Sequence, residues 1–140
     1  DVDASGNIYF IQKTGGVNSK IRRIKPNGNI ETFRTAGTNR EFQQVLASPD
    51  GSVYFTERDI ENDSYNPLYR ITKVNPNGSV VYIGDGTEGS SGDGASAALA
   101  KIGSPFLVDV LSDNSLVFSY YNLANLLSPT APFENKWNGS

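Results

Sequence analysis

Two short motifs recur along this chain in the same order, and the recurrence dictates the kind of architecture it can build. Asp3-Ala4-Ser5-Gly6-Asn7-Ile8-Tyr9-Phe10 returns as Ser48-Pro49-Asp50-Gly51-Ser52-Val53-Tyr54-Phe55, and more loosely as Leu111-Ser112-Asp113-Asn114-Ser115-Leu116-Val117-Phe118. In each copy a turn rich in Asp, Ser, Gly or Asn precedes a β-branched and aromatic run. Gly and Asn tolerate the positive φ of a tight hairpin turn, so the chain reverses there and a strand begins. The second motif follows the first two copies. Ile21-Arg22-Arg23-Ile24-Lys25-Pro26-Asn27-Gly28 matches Ile71-Thr72-Lys73-Val74-Asn75-Pro76-Asn77-Gly78. Each reads as a strand, a Pro-Asn-Gly turn and another strand. Its apolar pair lies three residues apart, which breaks strict alternation and predicts a bulge or a strongly twisted strand.

The repeat unit is about 45 to 50 residues and carries about four strands, the size of one blade of a β-propeller. The fold class expected is all-β, with four-stranded antiparallel blades forming an incomplete propeller of about two and a half blades. Strands are expected near 7–13, 19–25 and 29–35, with residues 1–3 as the tail of an inner strand. A complete blade follows near 41–48, 52–57, 68–74 and 79–84, then strands near 106–111 and 115–121. The domain reading is a partial blade over 1–36, a complete blade over 37–86, an insertion loop plus partial blade over 87–122, and an irregular tail over 123–140. An open arc of blades exposes faces and edges, so the remainder of a longer polypeptide, or other subunits, are expected to complete it. The chain opens at Asp1 and contains no Met, which reads as a processed product or part of something longer.

Composition narrows the chemistry. Cys and His are absent, which removes disulfides, thiolate nucleophiles and imidazole acid–base chemistry. The formal net charge is −3, so the basic surface on which nucleic-acid binding rests is not expected. No apolar run approaches the ~20 residues that span a bilayer. The expectation is therefore a protein without catalytic residues, nucleic-acid partner or membrane span.

The segment from Gly84 to Leu99, with its Ser91-Gly92-Asp93-Gly94 core and its close at Gly103-Ser104-Pro105, resembles an insertion of NHL-repeat β-propellers. The Gly-Asn/Ser-Ile/Val-Tyr-Phe strands, together with Ile21–Ile24 and Ile71–Val74, are similar to that family's second and third strands. The likeness covers roughly residues 1 to 122. It implies a propeller of the extracellular type, acting in protein or glycan recognition or in a larger surface assembly. The sequence departs from the family in two places. Glu57 only loosely echoes its acidic residue after the second strand, where the first copy has Gln12, and Asp59 to Asn66 form an insertion.

Candidate sites follow from residue type. Asp85, Glu88 and Asp93 put three carboxylates in one Gly-rich loop, the oxygen ligands that Ca²⁺ takes, although the spacing is not that of an EF-hand. Gly-Asp pairs are ordinary turn chemistry, so no metal or other cofactor is expected. Arg22, Arg23, Lys25, Arg58, Arg70 and Lys73 form either a basic stripe or solvated positions paired with neighbouring acids, and the pairing is favoured in an acidic chain. Tyr9, Tyr54, Tyr82, Tyr120 and Tyr121 fall in strands, where packing claims aromatics. Tyr65 and Trp137, outside the repeats, and Arg58, beside the 59–66 insertion, are the expected binding residues. Sequons at Asn62, Asn77 and Asn138 lie in turns or the tail, and point to a secreted or cell-surface glycoprotein. Two alternatives stay open. One is a Ca²⁺-dependent, lactonase-like hydrolase using carboxylates such as Asp3, Glu57 and Asp109. The other is a purely architectural unit whose open edges pair between copies.

Overall fold

A computed structural model describes residues 1–15, 18–59, 68–87, 89, 91–121 and 133–137. The described chain is all-β apart from one 3-10 turn, Ala97–Leu99. Ten strands run in order: β1 (Ile8–Lys13), β2 (Ser19–Ile24), β3 (Ile30–Thr35), β4 (Arg40–Ala47), β5 (Val53–Asp59), β6 (Leu68–Val74), β7 (Val80–Ile83), β8 (Ser104–Val110), β9 (Leu116–Tyr121) and β10 (Phe133–Trp137). They form three antiparallel sheets, β1-β2-β3, β4-β5-β6-β7 and β10-β9-β8. Among the described residues the sheets make an open stack, with no closed barrel or ring.

The turns come from the repeated motifs. Gly6 N–H donates to Asp3 O while Asp3 N–H donates to Asn7 O; the same pair of bonds links Ser48, Gly51 and Ser52, and links Leu111, Asn114 and Ser115. The Pro-Asn-Gly turns at Lys25–Asn29 and Asn75–Ser79 repeat it. In all five the fourth residue is left-handed, with φ of 82° at Gly6, 84° at Gly51, 65° at Asn114, and 86° at both Gly28 and Gly78. This is the three-residue hairpin that ends in a left-handed residue, and it explains why Gly or Asn stands there. In four of the five a side-chain oxygen at the third position (Asn27, Asp50, Asn77, Asp113) accepts the backbone N–H two residues on.

The expected bulge occurs in one copy only. The β2–β3 register shifts between Ile21 and Arg22, whereas β6 pairs with both neighbours without a shift. Ile71 and Val74 instead point to opposite faces of the middle sheet, because a sheet covers it on each side. Strand β10 is a second departure, since residues 133–137 fall in the tail read as irregular. The strand pairs along the free edge of β9, from Phe133↔Tyr120 to Trp137↔Leu116. Pairing to a remote edge needs no strong local signal.

Two cores hold the stack together. The first joins Tyr9 and Ile21 of the first sheet to Phe42, Val53, Phe55 and Val74 of the middle sheet. The second joins Tyr54, Ile71 and Ile83 of the middle sheet to Leu107, Leu116 and Phe118 of the third. Val53 to Glu57 of β5 are buried in succession, since alternate side chains enter different cores. Polar contacts cross both gaps. Ser19 Oγ accepts the Phe42 N–H at 2.6 Å. The Gln44 side-chain amide donates to Leu107 O at 3.2 Å and accepts the Leu107 N–H at 2.8 Å. Asn114 Oδ1 accepts the Asp50 N–H at 3.1 Å.

Candidate functional site

The antiparallel register gathers charge at one end of the middle sheet. Glu57 on β5 lies opposite Phe42 on β4 and Arg70 on β6, and Asp59 lies opposite Arg40. Glu57 Oε2 accepts from Arg70 Nε and from Thr72 Oγ1, each at 2.8 Å. Arg40 Nη2 reaches Asp59 Oδ2 at 3.0 Å. The Arg70 guanidinium also lies 4.4 Å from the Tyr82 ring centroid, where cation and π-face attract. Arg40, Glu57, Asp59 and Arg70, with Tyr69, Asp85 and Gly86, line a cleft of about 130 Å³. Drug-sized ligands usually occupy about 300–1,000 Å³, so this cleft suits a small polar group or the tip of a larger ligand. Gln12 stands in β1 where Glu57 stands in β5, and its Oε1 accepts from Arg22 Nη1 at 2.8 Å. The position is therefore a hydrogen-bond acceptor in both sheets, charged in one and neutral in the other.

A wider groove of about 620 Å³ runs between the turn ends of the first two sheets. Asp3, Asn7, Tyr9, Arg23, Phe33, Arg34, Asp50 and Asn75 are among its lining residues. Burial pushes the Asp3 carboxyl up, but hydrogen bonds from Asn7, Tyr9 and Ser5 outweigh it and hold the group below the usual Asp value. At Asp50 burial is likewise outweighed by bonds from Ser52 and Ser48 and by the Lys73 charge. Both line the groove as carboxylates at neutral pH. Arg23 and Arg34 approach the Phe33 ring, at 5.6 and 5.8 Å, and Tyr9 meets it edge-on with centroids 5.3 Å apart. Phe33 is thus already engaged, and the groove offers carboxylates, amides and guanidinium groups. That set matches the hydroxyls of a glycan or the backbone of a peptide.

The residues singled out from sequence fall in different places. Arg58 lies on β5, with Glu41 and Tyr69 as its register partners, and its Nε is buried with no hydrogen-bond partner among the described residues. Tyr65 and the sequons at Asn62 and Asn138 lie outside the described residues, as does Glu88. Trp137 ends β10 opposite Leu116. Asn77 is exposed in its turn, and its Oδ1 accepts from the N–H and hydroxyl of Ser79, the third residue of its own sequon. Asp85 Oδ1 accepts from the Thr87 hydroxyl at 2.6 Å and the Thr87 N–H at 2.7 Å, and the hydroxyl bond above all holds its pKa low. Asp93 lines a different cavity from Asp85, between the Gly-rich loop and the third sheet.

Four of the six basic candidates are paired with acids, while Arg22 donates to Gln12 Oε1 and to the Glu31 carbonyl. Arg23 and Lys25 both bind Glu31, Arg70 binds Glu57, and Lys73 lies 3.7 Å from Asp50. Tyr9 and Tyr54 are core residues. Asp3, Glu57 and Asp109 are dispersed: Asp3 closes the first turn, Glu57 is ion-paired, and Asp109 accepts the Val110 N–H on β8.

The Gly-rich loop is a spacer that closes the second core. Gly84 and Asp85 donate backbone bonds to Ala97 and Ala100. Ile102 enters the core itself, with Ala97 and Ala100 packed against it. A Cβ on Gly84, at φ +93°, would fall 2.8 Å from Ile102 Cγ1. Sequence reading singled out Glu57, Arg70 and Asp85 of the cleft for separate reasons and named Asp59 only as the start of an insertion; it missed Arg40 and Arg34, which carry no motif. No protein-family model, curated protein or solved structure matches the chain.

Proposed function

We propose that this chain is a non-catalytic segment of an extracellular NHL-type β-propeller, whose sheets act as blades of a scaffold and whose groove recognises glycan or protein. The observation that carries the reading is positional. Tyr9 and Tyr54, then Ile21 and Ile71, are matching residues of the repeat, and each pair faces the following sheet from the same place. Stacking equivalent units through equivalent faces is how repeat architectures bury a core that no unit closes alone. The exposed Asn77 turn agrees with the extracellular part of the proposal. The non-catalytic part is supported by the ion pairing of Glu57 and the dispersal of Asp3 and Asp109.

Two measurements test the proposal. Titration with neutral and acidic oligosaccharides and with peptides, followed by backbone amide NMR, is expected to shift Asn7, Arg34 and Asn75 along the groove. Assays with ester, lactone and peptide substrates, with and without Ca²⁺, are expected to show no turnover. Metal-dependent hydrolysis that disappears in Glu57→Gln overturns the reading.

A further inference from the structure

The groove between the first two sheets holds charges of both signs, and most are already committed to neighbours. Asp3 Oδ1 accepts the Ser5 and Asn7 N–H groups, and its Oδ2 accepts the Asn7 side-chain amide and the Tyr9 hydroxyl. Asp50 accepts the Ser52 N–H at 2.8 Å and faces Lys73 at 3.7 Å. Glu31 serves Arg23 and Lys25 together. Arg34 differs. Its guanidinium lies 5.8 Å from the Phe33 ring centroid and makes no hydrogen bond or ion pair among the described residues. The side chain is half-buried, so the ring steadies the guanidinium in the groove while its N–H donors stay unspent. Arg23, Lys25 and Arg34 share the one carboxylate of Glu31, which leaves the β2–β3 wall with surplus positive charge. Elsewhere in the groove the side-chain amides of Asn7 and Asn75 donate to Asp3 and Ser79, and each keeps a carbonyl oxygen able to accept.

We infer that the groove takes an acidic oligosaccharide, with a sugar carboxylate on Arg34 and sugar hydroxyls on Asn7 and Asn75. The inference rests on the proposed function and names the ligand class of the same groove. A planar guanidinium meets a carboxylate through two parallel N–H···O bonds, so a ligand carboxylate supplies the partner that the described chain does not. Asp3 and Asp50 do not take that place, because their oxygens are held by their own turns. The volume of about 620 Å³ falls among those of small-ligand sites, about 300–1,000 Å³. Peptides are instead anchored by apolar or aromatic side chains in pockets. Here Phe33 is engaged by Arg23, Arg34 and Tyr9, and Val74 belongs to the first core, which leaves a polar lining.

Calorimetric titration of the intact chain with an oligouronate tetramer and with its methyl ester tests the inference, since the ester keeps the shape and removes the charge. Tetraglutamate is the peptide probe. The acid should bind about tenfold more tightly than the ester, and lose that advantage at high salt. Arg34→Gln should bring the acid to the level of the ester and leave the ester unchanged. Arg34→Lys, which keeps the charge but not the fork, should fall between. Lys101→Gln, at an exposed position outside the groove, should change nothing. Far-UV spectra check that the variants fold, and the comparison of acid with ester on the wild-type chain needs no variant. Equal binding of acid and ester overturns the inference and leaves the proposed function standing. So does tighter binding of tetraglutamate, which makes the ligand a protein. Absence of binding by all three overturns the inference together with recognition by the groove, whereas turnover of an ester or lactone substrate overturns only the non-catalytic reading.

Discussion

Phe10 and Phe55 are the same residue at the same position of the repeat, and differ in whether a sheet lies against them. Truncating each to Ala measures what stacking contributes. Phe55 is 3% exposed and meets Phe42 edge-to-face with centroids 5.0 Å apart. Removing a buried Phe leaves a cavity and costs about 3–5 kcal/mol, and the aromatic pair places Phe55→Ala toward the upper part of that range. Phe10 is 36% exposed on an open face, so its removal creates no enclosed cavity. Phe10→Ala should cost about 1 kcal/mol, a fraction of the transfer free energy of a buried Phe. The difference of about 3 kcal/mol is roughly a hundredfold in the folding equilibrium. The assay is urea unfolding followed by far-UV circular dichroism. It should be run at low micromolar concentration, so that the open face stays uncovered. Equal losses at the two sites would refute the assignment of Phe55 to an inter-sheet core and of Phe10 to an open face.

Three further outcomes are expected. Burial, with a contribution from the Asp50 charge, raises the Tyr54 phenol to about 12, while the unfolded chain ionises near 10. Between those values the folded state keeps a proton that the unfolded state has lost. The contribution is therefore fully present below about pH 10 and falls by roughly 2–3 kcal/mol as pH rises to about 12. Tyr54→Phe should remove that part of the alkaline slope in chemical denaturation, and an unchanged slope contradicts the burial. Gln44→Leu keeps the volume but deletes both bonds to Leu107, and should cost about 1–3 kcal/mol in urea unfolding. Glu57→Gln preserves an acceptor like that of Gln12 and should cost about 1 kcal/mol. Glu57→Ala strands Arg70 and Thr72 and should cost about 2–3 kcal/mol by the same measurement.

The turns were legible from the sequence because their cause is local. A left-handed fourth residue demands Gly or Asn, and an Asp or Asn oxygen two residues from its target N–H needs no distant partner. Strands bounded by such turns could be read to within a residue or two over most of the chain, and the aromatic positions Tyr9 and Tyr54 were rightly assigned to packing. The cleft was less visible. Arg40, Glu57, Asp59 and Arg70 lie on three strands, and only antiparallel register brings them together.

By itself, the amino-acid order determined that the chain would reverse repeatedly into short antiparallel strands, and that one unit would resemble the next. The face each strand buries was decided by its neighbours in space. Ile21 sits at a bulge and its counterpart Ile71 does not; β5 is buried on both sides while β1 is covered on one. A period of two specifies that side chains alternate, but a remote sheet must arrive before alternation becomes inside and outside. That is also why Phe10 and Phe55, alike in sequence, are unlike in environment.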